Sequence, residues 1–71
     1  MGSSVFYANG TLTVNTGIIN YNVQIFDLNG RLIGSHANMK SFDFAEYESG
    51  LYFVAFTYNN ERKTIKIAHA R

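Results

Sequence analysis

The sequence predicts an all-β domain of about seven short antiparallel strands in two sheets, and three observations predict it. Apolar and polar residues alternate with a period of two along most of the chain, as in strands with one face buried and one wet. Asparagine-glycine and asparagine-asparagine pairs stand between these runs, and they accept the positive φ that tight hairpins need. The length of 71 residues permits a single core.

The elements follow in order. A short run at 5–8 is expected as the first strand, ending at Asn9-Gly10. In Thr11-Leu12-Thr13-Val14-Asn15, Leu12 and Val14 face inward and the threonines outward. The third strand, 21–28, places Val23 and Ile25 inside, and Asn29-Gly30 should turn it as a type I′ hairpin into a fourth at 31–36. Phe42 and Phe44 are the inward pair of a fifth strand at 40–44. Glu48-Ser49-Gly50 breaks the chain before 51–58, where Leu51-Tyr52-Phe53-Val54-Ala55-Phe56 is apolar on both faces and suits a central strand. Asn59-Asn60 then turns into a last strand at 61–68, with Ile65 and Ile67 inside. Ala45-Glu46-Tyr47-Glu48 is too short to form a lasting helix. Seven strands around one apolar core suggest an immunoglobulin-like β-sandwich. The leading Met1-Gly2-Ser3-Ser4 reads as an artificial leader, with residues 5–71 the domain proper, cut from a longer chain.

Composition excludes much. Hydrophobic residues are 46% of the chain and charged ones 15%, too apolar for disorder. Six Lys and Arg against five Asp and Glu leave a net charge of +1, which offers no basis for a nucleic-acid partner. No apolar run approaches the roughly 20 residues of a membrane span. The lack of cysteine removes disulfides, thiolate metal sites and cysteine nucleophiles. Six phenylalanines and five tyrosines must therefore build the core without staples.

Few residues invite chemistry. His36 and His69 show no metal-ligand spacing and are expected in solvent, His69 in a tail. Ser35 or Ser41 with His36 and Asp27 or Asp43 lacks the turn context of a nucleophile. Asp43, Glu46 and Glu48 beside Lys40 lack a calcium-loop pattern and read as a solvated face. No catalytic, metal or cofactor site is expected. If Phe53 and Ala55 face the core, Tyr52, Phe56 and Tyr58 share the opposite face of their strand, either covered by the second sheet or forming an aromatic platform. Arg62, Thr64 and Lys66 share the outward face of the last strand, where charges either guard an edge or serve recognition by strand pairing.

Two segments carry a family likeness. Val23-Gln24-Ile25-Phe26-Asp27-Leu28-Asn29-Gly30-Arg31-Leu32 resembles the "VxIYDLxGRxV" segment of C-terminal sorting domains of the type IX secretion system. Phe42 through Val54 aligns without a gap with that family's "IDLSxLPSGxYxV". Lys63, Lys66 and Ile67 fall where the family carries a closing "KKxxK" strand. The "YPNP" opening of many members is absent, and Tyr47 and Glu48 replace the leucine and proline of "LPSG".

The resemblance implies a transport address at the C-terminus of an upstream cargo domain, folded in the periplasm of a Gram-negative bacterium. It implies recognition by the outer-membrane translocon and a shuttle protein, removal by a surface sortase, and no catalysis by the domain itself. Candidate recognition residues are Gly50, Tyr52, Lys63, Lys66, Ala68, His69, Ala70 and Arg71, with Asp27, Gly30 and Arg31 as a motif loop. Removing residues 68–71 is expected to spare the fold and block export. An exposed edge strand also favours a strand-exchanged homodimer at high concentration. The competing reading is an immunoglobulin-like carbohydrate- or protein-binding module resting on the tyrosine-rich face.

Overall fold

The structure, a computed structural model, describes residues 3–70. Seven strands run in the expected order: β1 Ser3–Ala8, β2 Thr11–Thr16, β3 Asn22–Asp27, β4 Leu32–Ala37, β5 Ser41–Asp43, β6 Gly50–Tyr58 and β7 Glu61–His69. They form a three-stranded sheet, β1-β2-β5, and a four-stranded sheet, β4-β3-β6-β7, every pairing antiparallel. The division of three against four suits a β-sandwich. Ser3 and Ser4 pair with Thr16 and Asn15, so the first strand begins earlier than the sequence suggests. The fifth strand is shorter than expected, because Asp43 accepts the Ala45 N–H at 2.9 Å and bends the chain away from the sheet.

Two of the three hairpins have the expected turn. Asn9 and Gly10 lie at φ 55° and 82°, and Asn59 and Asn60 at 50° and 63°, as a type I′ turn requires. The third does not. Only Gly30 has positive φ, at 82°, and its N–H bonds the Asp27 carbonyl at 3.0 Å. The Asp27 N–H in turn reaches the Arg31 carbonyl at 3.0 Å, closing a longer loop with a left-handed residue at its end. Asp27 decides this: one carboxylate oxygen accepts both the Asn29 and Arg31 N–H groups at 2.9 Å, which fixes a wider loop than two residues allow. A β-bulge in the β3–β4 pairing accompanies it: Ile25 pairs with Gly34 and Phe26 with Leu32, leaving Ile33 unmatched.

Most of the expected inward residues form the core, but Phe42 and Ile65 are only half-buried, and Tyr21, Tyr52, Val54 and Phe56 join it. Leu12, Val14, Val23, Ile25, Val54 and Ile67 are buried between the sheets, as is Phe44 just past β5. Burial of each large side chain stabilises by about 1.5–3 kcal/mol. In central strand β6 it is Tyr52, Val54 and Phe56, not Phe53 and Ala55, that point into the sandwich; on the outer face Ala55 is sealed, Phe53 is half-buried and Leu51 is exposed. Tyr52 and Phe56 are therefore covered by the second sheet and form no exposed platform. The molecule measures 32 × 23 × 16 Å and exposes 4768 Å². Surface scaling predicts about 4,400 Å² for this mass, and the excess fits a thin slab with open strand edges.

Candidate functional site

One end of the sandwich gathers the chemistry. Phe44 sits at its centre, fully buried, with the rings of Tyr7, Phe42, Tyr47, Tyr52 and His69 around it at centroid distances of 5.0–5.9 Å. Most of these pairs meet edge to face, the geometry that places a ring's positive rim on a neighbour's negative face. These rings come from β1, β5, β6, β7 and the loop after β5, so the cluster joins both sheets.

His69 is the unexpected member. It is 4% exposed, whereas the sequence reading placed it in solvent at a frayed tail. It is the last residue of β7, in register with Gly50, and takes the inward side after Ile65 and Ile67. Its Nε2 lies 3.1 Å from the Tyr47 carbonyl, which can only accept, so Nε2 carries the proton. Nδ1 is then the acceptor for the Tyr7 hydroxyl. Both ring nitrogens are satisfied, as burial demands, and β1, β7 and the 44–50 loop are tied through one imidazole. The reason for expecting residues 68–71 to be dispensable for folding, that they make few core contacts, does not hold for His69.

Tyr52, 7% exposed, donates its hydroxyl to the Glu48 carbonyl at 2.7 Å. Burial pushes its pKa up, and the nearby Glu48 and Asp27 charges add to that. Gly50 at φ 155° adopts a backbone conformation that side chains disfavour; a Cβ there would meet open space, so conformation alone reserves the position for glycine. In the motif loop, the Arg31 N–H holds the Asp27 carboxylate below its ordinary pKa, partial desolvation opposes this, and the Asn29 N–H and the Arg31 charge assist. Arg31 Nε stands 3.3 Å from Asp27 Oδ2.

Two clefts open at this end. One, about 530 Å³, is lined by Asp27, Leu28, Asn29 and Arg31 on one side and by residues 46–52 on the other. The second, also about 530 Å³, is lined by Tyr7, Asn9, Gly10, Ala45, Ala68, His69 and Ala70. The loop around Gly30 and the segment around Gly50 are thus neighbours, and the end of β7 lies on the same side. Lys63 and Lys66 lie further back along β7, both exposed, as are Ala68 and Ala70. Arg71 lies outside the described residues. His36 is exposed beside the Phe42 ring, 5.9 Å away, and belongs to none of this. Among the described residues no group of three or more His, Cys, Asp or Glu side chains is placed to hold a metal ion.

The sequence signal for His69 was present but unused: continuing the inward parity of Ile65 and Ile67 by two residues lands on it. Tyr7 had no comparable signal, because its role depends on β1 crossing above β7.

These features define a small aromatic-cored sandwich module with an exposed last strand. A family model of the secretion system C-terminal sorting domain matches residues 8–69, and the chain belongs to that family. No curated protein and no solved structure gives a significant match. The domain is thus a secretion signal of the type IX system, directing export to the surface or exterior of a Gram-negative cell. It works with a cargo protein and secretion machinery, and a sorting signal of this kind is not catalytic.

Proposed function

We propose that the domain is carried at the C-terminus of a cargo protein and read in the periplasm by the outer-membrane translocon and its shuttle protein. A surface sortase then removes it at the linker preceding β1. One observation carries the reading: segments far apart in sequence, 27–31, 46–52 and 68–70, frame adjoining clefts at one end of the sandwich. In this reading Lys63, Lys66, Ala68, Ala70 and Arg71 make direct contacts. Gly50, Tyr52 and His69 hold the end of β7 in place, and Asp27, Gly30 and Arg31 shape the neighbouring loop.

The test is a reporter with a periplasmic signal peptide fused ahead of residues 3–71, expressed in a type IX-competent bacterium. Delivery to the cell surface is expected; retention in the periplasm contradicts the reading. A carbohydrate-binding reading draws on the opposite end, where Tyr58 lines a cleft of about 380 Å³ with Asn20, Asn22, Asn38, Asn59 and Asn60. Glycan-array binding lost on Tyr58→Ala would favour it, whereas the export reading expects Tyr58→Ala to leave delivery unchanged.

A further inference from the structure

The edges of the two sheets are unequal. β5 is three residues long, and β4 is interrupted by the bulge at Ile33, both devices that blunt an edge. β7 has neither: it pairs with β6 in unbroken register from Gly50↔His69 to Tyr58↔Glu61, and no strand flanks its other side. β1 is the other edge in unbroken register, but at six residues against nine it is the shorter, so β7 is the longest open edge among the described residues.

Its charge is one-sided. Arg62, Lys63 and Lys66 are exposed and have no carboxylate partner among the described residues, where the ion pair is Arg31 with Asp27. Arg62 extends over the outer face of the sheet, its guanidinium 6.0 Å from the centroid of the Phe26 ring. Three uncompensated cations within five residues repel a basic strand, including β7 of a second copy, and favour an acidic one. Beside this edge, between β1 and β7, lies a cleft of about 150 Å³ lined by Val5, Val54, Phe56, Lys63 and Ile65. A dry space of about that size accepts a benzene-sized apolar group. The Tyr7–His69 contact joins the same two strands further along.

Strand geometry combines these features. A strand added beside β7 has alternate side chains on opposite faces. Those on the outer face lie next to Arg62, Thr64 and Lys66, and those on the inner face lie over the cleft at Ile65. We infer that the free edge of β7 takes up an extended segment of a partner protein in which acidic and apolar residues alternate, the acids beside Arg62 and Lys66 and an apolar side chain in the cleft beside Ile65. This deepens, and rests on, the reading of the domain as a recognised export label, because it specifies the chemistry of the recognising strand.

The test uses the whole folded domain and two soluble nine-residue peptides, one alternating valine with glutamate and the other valine with lysine. In amide NMR titrations the glutamate peptide is expected to shift β7 resonances and slow exchange of the β7 amides not bonded to β6. It should bind at least tenfold more tightly than the lysine peptide, and more weakly as salt rises. Arg62→Glu with Lys66→Glu, which reverses both outward cations, should reverse the preference, and Ile65→Ala should weaken the glutamate peptide without changing its sign. Equal binding of the two peptides, no reversal in the double variant, or protection centred on β4 overturns the inference. Surface delivery of a reporter by a domain that binds neither peptide overturns this inference alone and leaves the export reading intact. Peptide binding with no delivery does the opposite.

Discussion

The two halves of β7 obey the same alternation and have opposite fates. From Ile67 to His69 the inward residues are buried, and the strand ends inside an aromatic cluster with both imidazole nitrogens bonded. From Arg62 to Lys66 only Ile65 is even half-buried, and the cations face solvent along an open edge. The cause is what lies across from each half. The far half meets Tyr7, Phe44 and Tyr47, whereas the near half faces a cleft beside Val5. One strand thus holds itself in place at its end and presents a surface in its middle. Such a division suits recognition by strand pairing, because a frayed strand offers a partner no fixed register.

Substitutions should separate the halves, most severely at the anchored one. Phe44→Ala empties the centre of the cluster and should cost about 3–5 kcal/mol in urea unfolding. His69→Ala removes a buried ring and strands the Tyr7 hydroxyl and Tyr47 carbonyl, at a cost of about 2–4 kcal/mol. At roughly 4–8 °C per kcal/mol for a domain this small, that variant should melt at least about 8 °C lower. Tyr7→Phe should cost about 1–2 kcal/mol, and a double-mutant cycle with His69→Ala should show coupling. If His69→Ala melts like the parent, the anchored half is no anchor. Lys63→Glu with Lys66→Glu, in the open half, should change stability by no more than about 0.5 kcal/mol.

The smallest expected effect lies in the motif loop and depends on pH. The Asp27 carboxyl is held below its ordinary pKa in the fold, so its ionised form stabilises the loop at neutral pH. That contribution is lost as pH falls through the depressed value, below the usual carboxylate range. Amide exchange at Asn29 and Arg31 should therefore accelerate in strong acid ahead of the core strands, and Asp27→Asn should abolish this local acid response. A pH-independent ratio of loop to core exchange would contradict the assignment.

Much of this was legible in the sequence. Alternation and the turn signals between runs located the seven strands, and alternation picked out the inward residues Leu12, Val14, Val23, Ile25, Ile65 and Ile67, because a half-buried strand leaves a local trace. Asparagine pairs located the turns. What was not legible depends on contacts between distant segments. The Asn29-Gly30 turn differs from the other two because Asp27 caps it, a side-chain competition that the dipeptide alone does not report. The Tyr52 face was ambiguous because a strand apolar on both sides has no parity to read, and only the second sheet decides it. His69 is polar, and its burial requires a hydroxyl from β1 and a carbonyl from the 44–50 loop, partners 62 and 22 residues away. The free edge of β7 is likewise a property of strand order.

The central claim is that export is read from the open half of β7 while the anchored half keeps that strand in place. Surface delivery of a reporter carrying Lys63→Glu with Lys66→Glu, measured beside the thermal unfolding of the same domain, tests it most directly. The account predicts an unfolding midpoint within a few degrees of the parent together with loss of delivery. Parental delivery by this charge-reversed, fully folded domain would contradict it.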